Sequence, residues 1–190
     1  DWRNRNQIKT PQGVQWLTVP VGQAIDRRIR DVTLDGRWQA KHWKSLAANY
    51  RRAAHFAEIA SWLEPIYVGR SYSHLSQMNR CFIEAINSYL GISTLISNSW
   101  DYDLPDGKSE RLAGLCVQAG AGEYVSGPAA KDYLDEGVFR AREIKLTWFD
   151  YDGYPEYPQL WGAFSHRVSI VDLLMNCGRE AQRYMRYVGK

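Results

Sequence analysis

Hydrophobic and polar residues follow one another along this chain in blocks that predict strands and helices in turn. A strand is expected over Val14 to Val21, which is rich in β-forming residues and is closed by proline and glycine, and another over Ile29 to Leu34. Apolar residues at helical spacing run from about Trp38 through Leu63. They recur from Leu75 to Leu90, where Gly91 is expected to end the helix.

The second half of the chain alternates in shorter blocks. Strands are expected over Ile92 to Ser99, Glu123 to Val125 and Ile144 to Phe149, and helices over Lys108 to Gly120, Ala129 to Leu134 and Ser169 to Asn176. This alternation predicts an α/β domain with a mainly parallel sheet and helices on its faces, a three-layer Rossmann-like arrangement. Because no linker or repeat interrupts the pattern, residues 1–190 are expected to form a single domain.

Polar loops follow three of the predicted strands. Ligands bind at the carboxyl ends of strands in such folds, which points to residues 97–100, 126–130 and 150–164. A strand-to-helix junction exposes backbone N–H groups that can hold a phosphate or carboxylate, although Ser126 could instead simply cap the next helix. The candidate contacts from the first two loops are Ser97, Ser99, Ser126 and Gly127.

The stretch from Tyr151 to Gly178 combines aromatic rings with polar side chains and then enters an apolar helix. Aromatic walls with a few convergent polar groups are typical of a ligand cleft. In the alternative interpretation the tyrosines cover a surface and the helix is core. The candidate contacts in this stretch are Tyr157, Gln159, Ser169, Asp172 and Asn176, of which Asp172 and Asn176 could orient a substrate amine or hydroxyl.

Two arginines and two asparagines stand together near the start of the chain, at Arg3, Asn4, Arg5 and Asn6. Guanidinium groups suit bidentate capture of phosphate or carboxylate, and amides can recognise a base or sugar edge. The alternative is an exposed basic flank. Further along, His42 shares a predicted helix face with Trp38, and it could act as a general base or serve only as a surface or core residue.

Composition narrows the function classes. The net charge of +3 is small and dispersed, and the densest basic cluster, residues 26–31, carries its own aspartates, so a nucleic-acid partner is not expected. The chain lacks the GxGxxG and GxxxxGK[ST] motifs and any zinc-type spacing of cysteine and histidine, so no cofactor and no metal are expected. It also lacks a GxSxG motif, so an ordinary α/β-hydrolase triad is not expected.

Three cysteines, Cys81, Cys116 and Cys177, are far apart and lie in apolar helical contexts. They are expected to be reduced core thiols of a cytoplasmic protein. No apolar run is long enough to span a membrane, and no signal peptide is evident.

Several segments in sequential order are similar to the WbqC-like protein family. The family begins with a strand and a Gln-Pro-x-Tyr-x-Pro-x-x-Gly-Tyr-Phe element before its Trp-x-Asn-Arg-Asn element, so its N-terminal strand–helix–strand unit is expected to be missing here. The matching segments are WRNRNQI at 2–8, LTVPV at 17–21, YRRAAHF at 50–56, YLGI at 89–92, SNS at 97–99, RLAGLCVQAGAGEYVSG at 111–127, YPQ at 157–159 and FSHRVSIVDLLMNCG at 164–178.

This resemblance implies a bacterial transferase of surface-polysaccharide (O-antigen) assembly that acts on a nucleotide-linked sugar or another phosphorylated small molecule, with acylation of an amino sugar as one form. Arginines would hold the diphosphate, tyrosines would stack on base or pyranose, and His42 or Asp172 would accept the proton. Two alternatives stay open: a nucleotidyltransferase-like activating enzyme, and a non-catalytic nucleotide- or carbohydrate-binding protein. A homo-oligomer is compatible with the sequence.

Overall fold

The computed structural model describes residues 3–22, 27–35 and 37–188, so Trp2 of the first family segment and Asp26 of the basic cluster lie outside the described residues. The chain divides into two compact units, one formed by the residues up to Ser93 together with those from Tyr154 onward, and the other by Thr94–Gly153. The expectation of a single domain stays a prediction.

The described residues contain both helices and short strands, which confirms a mixed α/β protein. The strands are β1 (Arg5–Thr10), β2 (Gly13–Thr18), β3 (Glu123–Ser126) and β4 (Lys145–Trp148). The α-helices are α1 (Trp38–Tyr50), α2 (Phe56–Val68), α3 (Leu75–Tyr89), α4 (Lys108–Gln118), α5 (Glu136–Arg140) and α6 (Ile170–Cys177). Short 3-10 helices cover Ile29–Asp31, Ser99–Asp101, Pro128–Asp132 and Gly178–Tyr184.

The first unit begins with an antiparallel hairpin of β1 and β2, in which Arg5 pairs with Thr18 and Thr10 with Gly13. Gly13 has a φ of 108°, a conformation that favours glycine, and the Thr10 hydroxyl donates to the Gly13 carbonyl at 2.9 Å. The strand predicted from Val14 is confirmed over most of its length. Its partner β1 was not predicted, because its sequence is polar and its first residues are exposed.

The long helix predicted from Trp38 to Leu63 is two helices, α1 and α2. The backbone N–H of His55 donates to the carbonyl of Met175 in α6 at 3.0 Å. This tertiary hydrogen bond takes the place of the bond that a continuous helix would make within itself. The core of this unit forms where α1, α2 and α6 meet, and Leu46, Ile59 and Leu174 are almost completely buried there.

The second unit joins β3 and β4 as a parallel pair, with Ser126 opposite Trp148. Phe139 of α5 is completely buried in a core that also contains Cys116 of α4 and Ile144. The strands, their parallel direction and the helix from Lys108 are confirmed. The predicted helix over Ala129–Leu134 is a short 3-10 helix instead.

The expected three-layer, mainly parallel sheet is not found in residues 3–22, 27–35 and 37–188, where the strands form one antiparallel and one parallel pair. Two predicted strands account for the difference. Residues 29–34 form a 3-10 helix and a single bridge from Thr33 to His74, and residues 92–98 contain no strand, with Leu95 92% exposed. Their β-branched residues favour strands locally, but no neighbouring strand pairs with them.

Candidate functional site

The start of β1 forms one side of a cavity of about 220 Å³ in the first unit, here called the arginine cavity. Six residues predicted as ligand contacts or catalytic groups line it together: Arg3, Asn4, Arg5, Asn6, His42 and Ser169. They come from the hairpin, from α1 and from the residue before α6, so the fold gathers side chains that are up to 166 positions apart in sequence.

Backbone and amide contacts hold the polar rim of the arginine cavity. The Asn4 side chain donates to the Val19 carbonyl at 2.9 Å, and Asn79 of α3 donates to the Arg3 carbonyl at 3.0 Å. The Arg5 guanidinium lies 4.6 Å from the centroid of the exposed Trp16 ring. Both arginines are exposed, so the rim can offer guanidinium groups to an anion.

The inner wall of the arginine cavity is apolar and aromatic, with Ile8, Leu17, Trp38, Leu46, Tyr67 and Phe82 among its residues. Trp38 is 5% exposed, and its indole N–H has no hydrogen-bond acceptor among the described residues. A buried donor left without an acceptor costs about 1–3 kcal/mol. A ligand that brought an acceptor to this N–H would recover part of that cost.

His42 lies in this wall with both ring nitrogens hydrogen-bonded. Nε2 lies 3.0 Å from the Thr18 carbonyl, which can only accept, and Nδ1 lies 3.1 Å from the Tyr67 hydroxyl. The neutral ring therefore carries its proton on Nε2 and accepts from Tyr67 on Nδ1. Burial holds the pKa of His42 below its usual value, against the opposite effect of the Thr18 bond. In this geometry a substrate proton must compete with Tyr67 for the Nδ1 lone pair.

Asp172, the other candidate proton acceptor, is completely buried in α6. Its Oδ2 accepts from the Tyr50 hydroxyl at 2.6 Å, and its Oδ1 accepts from the Tyr157 hydroxyl at 2.7 Å and from Gln159 Nε2 at 2.8 Å. Burial first, and then the Asp172 carboxylate, raises the pKa of both tyrosines. Both hydroxyls consequently remain donors to Asp172.

A lysine completes this network. Lys9 is 4% exposed, and its ammonium group donates to Gln159 Oε1 at 2.9 Å and to the Ala163 carbonyl. Its backbone N–H donates to the Tyr50 hydroxyl at 2.9 Å. One amide, that of Gln159, thus bridges a buried cation and a buried anion. The bridge connects β1, the 157–165 loop and α6.

The side chains of Asn176 and Ser169 form hydrogen bonds with the backbone of α6. Asn176 Nδ2 donates to the Asp172 carbonyl at 2.8 Å. Ser169 caps α6, with its hydroxyl accepting from the Val171 N–H at 3.3 Å, and its own N–H donates to the Gln7 carbonyl at 2.7 Å. The β1 contact places the Ser169 backbone beside the rim residues of the arginine cavity.

A second pocket of about 270 Å³, here called the tyrosine pocket, is lined by Tyr154, Pro155, Tyr157, His166, Ser169, Ile170 and Tyr184, among others. Ser169 and Ile170 also line the arginine cavity. The prediction that the aromatic loop contributes to a cleft therefore has a definite geometry: Tyr157 faces the tyrosine pocket, and Gln159 lies in the buried network.

The remaining candidates belong to the second unit. The exposed Ser97 accepts a hydrogen bond from the Tyr102 hydroxyl at 2.8 Å, and the exposed Ser99 begins a 3-10 helix. Ser126 is 7% exposed at the end of β3, and Gly127 packs closely enough against Tyr151 that a Cβ would lie 3.3 Å from its hydroxyl. Their ligand roles stay predictions.

The chain matches a family model described as the WbqC-like protein family over residues 1–184. It belongs to the WbqC-like protein family. One relative, the uncharacterised protein Rv1507c of Mycobacterium tuberculosis, is 58% identical over 190 residues that cover 98% of this chain and 82% of the relative. No solved structure matches the chain. None of the helices in the described residues combines the length and apolar character that a membrane span requires.

Sequence reasoning missed two central residues of this WbqC-like chain, Lys9 and Tyr50. Lys9 lies in a strand whose polar sequence gives no sign of burial, and Tyr50 continues an apolar helix stripe, which suggested packing alone. The aspartate at the third position of the largely apolar α6 was the available signal. A buried carboxylate requires donors, and two tyrosine hydroxyls and an amide supply them.

Proposed function

We propose that this chain binds a nucleotide-linked sugar in the arginine cavity and acts as a transferase in bacterial surface-polysaccharide (O-antigen) assembly. The observation that carries this proposal is the gathering of Arg3, Arg5 and His42 around one cavity with an aromatic inner wall. Guanidinium groups suit phosphate, and an apolar wall suits a ring. Family membership supports the choice of ligand class only in general terms.

The size of the cavity limits what it encloses. Pockets for drug-sized ligands measure about 300–1,000 Å³. The arginine cavity, at about 220 Å³, is smaller, so it suits one ring of the ligand rather than a whole nucleotide-linked sugar. In this arrangement the ring enters between Trp38 and Phe82, and the phosphates stay at the exposed rim near the arginines.

In the proposed reaction an amino or hydroxyl group of the sugar attacks the carbonyl carbon of an acyl thioester. The new C–N or C–O bond forms, the C–S bond breaks, and the thiolate leaves and takes up a proton. The attacking group must lose a proton, and His42 or Asp172 is the proposed acceptor. For His42 this requires Tyr67 to release Nδ1. For Asp172, which is completely buried, it requires proton transfer through Tyr50 or Tyr157.

The hydrogen bonds that occupy His42 and Asp172 within the protein favour a second candidate function, a non-catalytic nucleotide- or carbohydrate-binding protein. A binding protein needs only the rim and the wall of the cavity. The two functions are distinguished by incubating the protein with a nucleotide-linked amino sugar and an acyl thioester and analysing the products by mass spectrometry. Transfer predicts an acylated nucleotide-sugar, and binding alone predicts unchanged reactants.

The binding proposal is tested by isothermal titration of the chain with uridine, thymidine and guanosine diphosphates and with their sugar-linked forms. An Arg5→Gln variant should weaken binding about tenfold, since a hydrogen bond to a charged group contributes about 1.5–3 kcal/mol and the rim is exposed. Arg51→Gln is the matched control, because Arg51 is an exposed arginine outside the cavity. Equal affinities for the two variants, or no binding of any compound, would refute the proposal.

A further inference from the structure

The tyrosine pocket and the arginine cavity share part of their lining. Ser169 and Ile170 line both. Each space, at about 220 and 270 Å³, is large enough for one ring and small for a complete nucleotide-linked sugar. Such a ligand has a ring at each end and an anionic linker between them, so two adjacent ring-sized spaces match it better than either alone.

The tyrosine pocket has a rigid aromatic wall. The Tyr157 hydroxyl is held by Asp172 at 2.7 Å, and the Tyr157 ring packs edge to face with Phe164 and Tyr184 at centroid distances of 5.0 and 5.8 Å. A ring fixed in this way loses little conformational freedom when a ligand binds. The buried network around Asp172 therefore positions this binding surface, and the Tyr157 hydroxyl connects Asp172, a proposed proton acceptor, to the pocket.

His166 supplies a polar group to the same pocket. Its ring packs edge to face on Phe164 at 4.6 Å, and neither of its nitrogens is hydrogen-bonded to a described residue. His42, in the other cavity, has both nitrogens engaged. An exposed imidazole with free donor and acceptor positions can bind a sugar hydroxyl in either direction.

We infer that the tyrosine pocket binds the pyranose of the nucleotide-linked sugar, while the nucleotide end occupies the arginine cavity. This inference rests on the proposed function. The C–H face of the pyranose packs on Tyr154 and Tyr157, which removes apolar surface from water, and one of its hydroxyls hydrogen-bonds to His166. The linking phosphates pass the Ser169 backbone.

The test compares each nucleoside diphosphate with its sugar-linked form in the same titrations, using uridine diphosphate with UDP-N-acetylglucosamine, thymidine diphosphate with TDP-glucose, and guanosine diphosphate with GDP-mannose. At least one sugar-linked form should bind about two- to tenfold more tightly than its parent diphosphate, the contribution expected of aromatic packing. Tyr154→Ala and His166→Ala should each reduce that advantage while leaving the affinity for the diphosphate unchanged. Tyr133→Ala, which removes an exposed tyrosine of the second unit, should leave both affinities unchanged.

The outcomes separate this inference from the proposed function. Diphosphates that bind as tightly as every sugar-linked form, or an advantage that survives in both Tyr154→Ala and His166→Ala, overturn the pyranose site and leave the arginine cavity intact. Failure of all six compounds to bind overturns both. Because His166 is exposed, its variant is expected to keep the native urea midpoint, so a lost advantage cannot be attributed to unfolding.

Discussion

Replacing Asp172 with asparagine should strongly destabilise the protein. The carboxylate accepts from Tyr50, Tyr157 and Gln159 at 2.6–2.8 Å with no exposure to solvent. Asparagine retains one acceptor oxygen but presents an NH₂ group to donors on the other side, and it removes the negative charge that Gln159 links to the buried Lys9 ammonium. Removing one partner of a buried charged network costs about 3–5 kcal/mol.

Urea unfolding followed by tryptophan fluorescence measures this cost. With a slope of about 2 kcal/mol per molar urea, the midpoint of Asp172→Asn should fall by about 1.5–2.5 M. Asp132→Asn, at an exposed aspartate, is the matched control and should change stability by less than about 0.5 kcal/mol.

A double variant probes the bridge through Gln159. Lys9→Met alone removes the cation that Gln159 links to Asp172, whereas Lys9→Met combined with Asp172→Asn removes both charges. The double variant should therefore be more stable than the sum of the two single losses predicts. A loss below about 1 kcal/mol for Asp172→Asn, or strictly additive losses, would show that Asp172 does not organise this core.

Three further predictions follow from neighbouring groups. Tyr50→Phe should lower the free energy of unfolding by about 1.5–3 kcal/mol in the same urea assay, because Asp172 loses a donor and the Lys9 N–H loses its acceptor. Because the pKa of His42 is lower in the folded protein, the unfolded chain binds a proton at this histidine first as the pH falls. The contribution of His42 to stability is therefore complete above about pH 6.5 and declines below it. A His42→Gln variant should lack this part of the decline in urea midpoints measured from pH 7.5 to 5. Burial, and then Asp172, raises the pKa of Cys177 to about 11, so mass spectrometry should find iodoacetamide on the half-buried Cys81 before Cys177 in the native protein; equal labelling would contradict the burial of Cys177.

The parts of the fold that the sequence predicts well are those with strong local signals. The amphipathic spacing from Leu75 and the positive-φ Gly91 define α3, and Ser169 defines the start of α6. The positions of the two strands in the second unit also follow from their β-forming residues. Each of these is decided within a few residues of chain.

The prediction of an extended parallel sheet was wrong because strand pairing is not decided locally in the sequence. The apolar run from Ile92 resembles a buried strand, yet Leu95 is exposed, and the break between α1 and α2 depends on a bond from His55 to Met175 in a distant helix. Only the folded chain shows whether a β-forming segment meets a partner.

Residue type indicated several side chains that the fold brings to one cavity, but it did not indicate the contacts that they make. Arginines near the N-terminus and His42 do line one cavity. The side chains of Asp172 and Asn176 make hydrogen bonds within the core, because a carboxylate can be buried wherever enough donors surround it. That arrangement depends on Lys9 and Tyr50, which no motif joins to Asp172.

A crystal structure of the chain with the nucleotide-linked sugar that binds most tightly in the titrations would show where the ligand lies. We expect phosphate oxygens at the guanidinium groups of Arg3 or Arg5 and one ring of the ligand in the arginine cavity beside Trp38. A ligand bound with its phosphates away from both arginines and both rings outside that cavity would contradict the proposed function.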